Sequence, residues 1–173
     1  YYAGTPGFGV YVTTDHGGLW QQFTNNSALL ATTGHGPQGS AGAGGGHVFD
    51  LEVNPASTNQ LYAATAKGVW RFDDVTSATG TWTRMAAADS SFTLLGSQGT
   101  TTYRAHPEVR AIAFNNAGST LHMATWGFGV LTTTGFTGTP TPTQIALRDG
   151  QITDIAVSPS GAILVGTDNG VYQ

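Results

Sequence analysis

Four segments of this 173-residue chain repeat one another, and that repetition constrains the fold more than any other feature. One element occurs three times: Val48-Phe49-Asp50-Leu51-Glu52-Val53, Val109-Arg110-Ala111-Ile112-Ala113-Phe114 and Ile152-Thr153-Asp154-Ile155-Ala156-Val157. Its first, fourth and sixth positions are always large and apolar. A turn follows as Asn54-Pro55, Asn115-Asn116 or Ser158-Pro159, and two of these carry a proline that stops a strand. A second strand then ends in a small residue and threonine, at Leu61 to Thr65, Leu121 to Thr125 and Ile163 to Thr167; Tyr1 to Thr5 is a fourth copy. Each leads to a Gly-Val pair (Gly9-Val10, Gly68-Val69, Gly129-Val130, Gly170-Val171) that opens a third strand. A fourth strand reads as Leu19 to Phe23, Thr81 to Met85 and Thr143 to Leu147.

The unit is therefore four short antiparallel strands, a to d, spaced 42 to 60 residues apart by Thr5, Thr65, Thr125 and Thr167. Radially repeated four-stranded sheets are the blades of an all-β β-propeller. An irregular β-sandwich would not require the same order of turn, strand, threonine and Gly-Val four times. Composition agrees: only 9% of residues are charged, as expected of blades covered on both faces by neighbours. The chain divides into a partial blade (1–23), a long loop (24–47), a blade (48–85), a second long loop (86–108), a blade (109–147) and a partial blade (152–173). That is about three and a half blades, against the four to eight or so that close a propeller. The expected partners are thus the rest of a longer parent chain or further copies of this one.

Several function classes are excluded. A net charge of −4 with a single lysine, Lys67, does not fit a nucleic-acid surface. There is no cysteine for a disulfide or thiolate site and no apolar run long enough to span a membrane.

Thr13, Asp15, Gly17 and Trp20 fall on the four positions of the Ser/Thr-x-Asp-x-Gly-x-x-Trp pattern. The loop resembles the Asp box of the BNR-repeat propellers, which include sialidases, sortilin-type receptors and xyloglucan hydrolases. The resemblance implies a structural role. The aspartate accepts hydrogen bonds from its own turn, the glycine permits a left-handed backbone and the tryptophan plugs the loop against the blade. Asp73-Asp74 with Trp82 is a stretched version of the pattern.

In a meander of four strands, the b–c turns and the d-to-a crossovers share one end. That end receives both long insertions and the aromatic turns Pro6-Gly7-Phe8 and Trp126-Gly127-Phe128. Binding is expected there. Phe8, Trp126 and Phe128 form a candidate platform for sugar rings or a partner's apolar anchor, and Asp168 occupies the matching turn of the last repeat. His35, His47, Arg104 and His106 lie in or beside the insertions, whereas His122 belongs to a packed strand. The histidine spacing matches no compact ligand motif, so neither a metal nor another cofactor is expected. Gly39 to Gly46 lacks the lysine and helix of a phosphate loop and reads as a connector.

Glycoside hydrolysis needs two facing carboxylates, and glutamate occurs only as Glu52 and Glu108. The segment from Gly44 to Ala63 is similar to the opening blade of xyloglucan-hydrolysing propellers. In that family an aspartate that follows the threonine of strand b is catalytic; Ala66 stands there instead. Five arginines are present (Arg71, Arg84, Arg104, Arg110, Arg148), but the Arg-Ile-Pro signature of sialidases is not. The expectation is a secreted or cell-surface module, non-catalytic, binding protein or polysaccharide through the loop face. One alternative is a propeller glycoside-hydrolase fragment using Asp168 or Asp149; another is a self-assembling surface or filament subunit. Asn25-Asn26-Ser27 is a formal glycosylation sequon.

Overall fold

The four threonines and the glycines that follow them explain why the repeat is written as it is. In a computed structural model describing residues 1–23, 47–66, 68–76, 80–85, 91–96, 99–104, 108–134, 143–147 and 150–173, each threonine ties off the same turn. The Thr5 Oγ1 donates to the Gly9 carbonyl at 2.9 Å, Thr65 to Gly68 at 2.8 Å, Thr125 to Gly129 at 2.6 Å and Thr167 to Gly170 at 3.0 Å. Those four glycines have φ between 68° and 119°, which side-chain-bearing residues rarely adopt. The turn from the first strand to the second is closed in the same recurrent way. Asn54 Oδ1 accepts the Ala56 amide (2.9 Å), Asn115 Oδ1 accepts Ser119 (2.8 Å) and Ser158 Oγ accepts Ala162 (3.0 Å).

Strands β1 (Tyr2–Thr5), β2 (Gly9–Val12) and β3 (Gln21–Gln22) form the first antiparallel sheet. The second holds β4 (Val48–Val53), β5 (Leu61–Thr65), β6 (Gly68–Phe72) and β7 (Trp82–Arg84). A hairpin of β8 (Ser91–Gly96) and β9 (Gly99–Arg104) follows. The third sheet is β10 (Val109–Phe114), β11 (Thr120–Thr125), β12 (Val130–Thr134) and β13 (Thr143–Ala146). The fourth is β14 (Ile152–Val157), β15 (Ile163–Thr167) and β16 (Gly170–Tyr172). The hairpin corrects the reading of 86–108 as an irregular loop: Phe92 to Leu95 and Thr100 to Tyr103 are strand formers that pair with one another.

The sheets stack in chain order, and β4, β10 and β14 neighbour one another across the stack. Val10 and Phe23 of the first sheet meet Val48, Leu61, Ala63, Trp70, Phe72 and Trp82 of the second. The rings of Phe23, Phe72 and Trp82 meet edge-on at 4.8 to 6.1 Å. Tyr62, Ala64, Val69 and Met85 pack on Ile112, Phe114, Leu121, Met123 and Leu131 at the second seam. At the third, Ala111, Ala113, Ala124 and Val130 meet Ile152, Ile155 and Val165. Polar links also cross the seams. Asp50 Oδ2 accepts the Ile112 amide at 2.9 Å, and Asn116 Nδ2 donates to the Pro159 carbonyl at 2.8 Å.

One recurrent feature carries no residue signature. In all three first strands the ladder skips the second residue: Val48 pairs Thr65 and Asp50 pairs Ala64, and the same step falls between Val109 and Ala111 and between Ile152 and Asp154. Phe49, Arg110 and Thr153 are therefore the extra residues of β-bulges.

His122 is buried on β11, and burial lowers its pKa from the ordinary 6.5. Above that value both folded and unfolded chains hold it neutral. As pH falls below 6.5 the unfolded state takes up the proton first, so stability declines until the lower folded pKa is passed. Melting curves from pH 7 to 5 should show this loss. The variant His122→Leu, which installs the residue type of the equivalent Leu164, should flatten it.

Candidate functional site

The bulges and the b–c turns converge at one end of the sheets. There the Ala66 amide donates to the His47 carbonyl (3.3 Å) and the Trp126 amide to Glu108 (2.9 Å). Neighbouring sheets are stitched at the same end, by the Gly127 amide to the Gly150 carbonyl (3.2 Å) and by isolated bridges pairing Pro6 with His47 and Trp126 with Gln151. A cavity of about 410 Å³ opens here, lined by His47, Phe49, Ala66, Glu108 and Arg110.

Arg110 organises the site. The bulge turns its guanidinium over the Phe49 ring, 4.4 Å from the centroid, and over the Trp126 ring at 4.8 Å. Its Nη2 is ion-paired with Glu108 Oε1. Both partners of the pair are about one-third exposed, so the charges are partly screened and contribute little stability by themselves. His47 stands against the same Phe49, with ring centroids 6.0 Å apart. The site thus offers a half-exposed indole, a carboxylate acceptor and a guanidinium donor around one hollow.

Of the residues singled out in the sequence, His47 lines the cavity, and Trp126, 40% exposed, stands against the Arg110 guanidinium that lines it. Phe8 is exposed on the first b–c turn at 64%. Phe128 departs from expectation: it is half-buried, and its carbonyl accepts Gln144 Nε2 at 2.9 Å, which draws the turn onto β13. Asp168 is exposed on the last turn, where Asn169 Nδ2 donates to it at 3.1 Å, and it is not among the cavity residues. Arg104 ends β9 opposite Ser91. His35, His106, Asp149 and the sequon lie outside the described residues. Among the described residues, no group of three or more acidic or histidine side chains is arranged to hold a metal.

Phe49, Glu108 and Arg110 escaped the sequence reading as site residues. Phe49 and Arg110 occupy the second position of the repeated strand, one of three outside the apolar pattern, and nothing in the sequence distinguishes it from the other two.

The loop of Thr13 to Trp20 is built by its own side chains. Thr13, buried, donates to Asp15 Oδ1 at 2.6 Å and accepts the Gly17 amide at 3.0 Å, while Asp15 accepts the Leu19 amide at 2.9 Å. These bonds hold the Asp15 carboxyl below its usual pKa. Trp20 is 42% exposed, and its Nε1 lies over the loop, 3.8 Å from where a Cβ on Gly17 would stand.

No protein-family model matches the chain, and no curated protein matches it in sequence. Solved structures do match in fold. An ancestral GH74 enzyme superposes with a TM-score of 0.61 at 16% identity, over 99% of this chain and 20% of that one. The Cps50 (Swd1) β-propeller domain of Myceliophteria thermophila gives 0.59 at 15%, over 96% and 46%. PorZ, a surface component of the type-IX secretion system of Porphyromonas gingivalis, gives 0.59 at 14%, over 98% and 22%. The chain spans about a fifth of the GH74 enzyme and of PorZ, and under half of the Cps50 domain. Among the described residues no helix is long and apolar enough to cross a membrane. With antiparallel sheets of three and four strands stacked in chain order, the chain has the fold of a β-propeller segment.

Proposed function

We propose that this chain is the ligand-binding portion of an extracellular propeller of Asp-box type and that it holds a polysaccharide at the b–c turn face without cleaving it. The observation that carries the reading is the Arg110 guanidinium set over Phe49 and Trp126 and paired with Glu108 beside an open cavity. A pyranose presents an apolar face to stack on an indole and hydroxyls at its rim; Trp126 supplies the indole, and Glu108 and Arg110 supply an acceptor and a donor for the hydroxyls. Glu108 is the carboxylate among the described cavity residues, whereas glycoside hydrolysis takes two across the bond. Surface location is supported by the likeness to PorZ, and an Asp-box loop by the bonds among Thr13, Asp15 and Gly17. The likeness to propeller chains of which this one covers 20% and 46% supports completion within a larger propeller.

A glycan array probed with the protein and with Trp126→Ala checks this. Binding by the wild type, weakened roughly tenfold or more in the variant, is expected. Absence of binding by the folded protein overturns the polysaccharide reading, and release of reducing ends overturns the non-catalytic one.

A further inference from the structure

The residue immediately before each first strand changes from repeat to repeat: His47, Glu108 and Gln151 precede Val48, Val109 and Ile152. Its main chain is nonetheless used in a recurrent way. His47 and Gln151 form isolated bridges with Pro6 and Trp126 of the sheet before, and the His47 and Glu108 carbonyls accept the Ala66 and Trp126 amides. The position is thus held by its backbone, and its side chain is spared for the face. In the repeat of Arg110 that side chain is a carboxylate.

Glu108 and Arg110 confront a ligand together. Glu108 Oε1 and Arg110 Nε are buried atoms, which leaves Glu108 Oε2 and the Nη edge of the guanidinium to meet a ligand. The guanidinium is also seated on the rings of Phe49 and Trp126, so it has little room to swing away from the carboxylate. A group that reaches Arg110 from the cavity therefore reaches Glu108 as well. A hydroxyl suits both, because it accepts from a guanidinium and donates to a carboxylate. A ligand carboxylate suits only one: it competes with Glu108 for the same donors and meets a like charge at close range. The remaining cavity residues, His47, Phe49 and Ala66, bring no second arginine or lysine to offset that charge. The net charge of −4 opposes an acidic ligand at longer range.

We infer, resting on the polysaccharide reading of this face, that Glu108 is its specificity-determining residue and that the ligand is a neutral polysaccharide. Sugars carrying carboxylates are refused because Glu108 already occupies the guanidinium that would bind them. Selection of this kind works by repulsion of the wrong ligand as much as by attraction of the right one.

The test is a polysaccharide microarray that holds neutral members (β-glucan, mannan, galactan) and acidic ones (polygalacturonate, alginate, hyaluronan). It is probed with the wild type, with Glu108→Gln and with the double variant Glu108→Gln/Arg110→Thr. Each substitution installs the residue at the equivalent place of the last repeat, Gln151 or Thr153, so the same strand geometry already carries it. The wild type should bind acidic members at least about tenfold more weakly than neutral ones. Glu108→Gln should gain about tenfold or more on the acidic members, and that gain should fade as salt is raised. The double variant should lose the gain, since it passes through Arg110. Three results overturn the inference and leave the polysaccharide reading in place: equal binding of acidic and neutral members by the wild type, no acidic gain in Glu108→Gln, or a gain that survives in the double variant. Absence of binding to every member by the folded proteins overturns that reading and the inference with it.

Discussion

Phe72→Ala is expected to lower stability by about 3–5 kcal/mol, the range for truncating a core aromatic. The side chain is fully buried, and it is the ring on which Phe23 of the first sheet and Trp82 of the second converge. Removing it opens a void at a seam between sheets, and the pleated backbones on either side have little freedom to collapse into it. Loss of two edge-to-face contacts adds to the transfer cost. Calorimetry should show the melting midpoint falling by roughly 10 °C. Phe72→Leu retains most of the volume and should cost clearly less, so equal losses for the two variants would exclude cavity formation as the cause.

Gly129→Ala is the second large effect. The glycine has φ +68°, and a Cβ there would stand 2.2 Å from the Leu147 carbonyl oxygen and 2.4 Å from that of Ala146. Both obstacles are backbone, so relief requires β13 to move away from β12. That movement breaks the Val130–Ala146 pairing and the Gln144 bond to Phe128. A cost of about 3 kcal/mol or more is expected, the sum of a left-handed alanine and lost ladder bonds. Gly127→Ala is the internal control: its φ is +92°, yet nothing lies within 4 Å of the added carbon. It should cost only about 1–2 kcal/mol for the backbone conformation. Chemical denaturation of the two variants separates clash from conformational strain.

The division between what sequence revealed and what it concealed follows from which interactions are local. The strands were readable because Thr65, Thr125 and Thr167 each bond to a glycine three or four residues on, a chemistry that demands those residue types at that spacing. The end of the sheets that carries the cavity was likewise readable from strand direction alone. Arg110 was not. Trp126 lies on the turn of its own repeat, but Phe49 belongs to the preceding sheet, and no local pattern records a ring arriving from a different repeat. The β8–β9 hairpin is not legible in the same way because its strands lack the markers of the repeat. The motif implies that Trp20 plugs the loop against the blade, whereas Asp15 and Thr13 satisfy the loop among themselves and Trp20 stays 42% exposed.

The bulge at the second position of each first strand separates two demands that a strand normally makes of every residue. Val48, Val109 and Ile152 are held by the core, and the residue after each is released from the ladder. A phenylalanine, an arginine and a threonine occupy that released position in successive repeats with the flanking register unchanged. The face can therefore be rewritten one repeat at a time, as interchangeable type in a fixed frame.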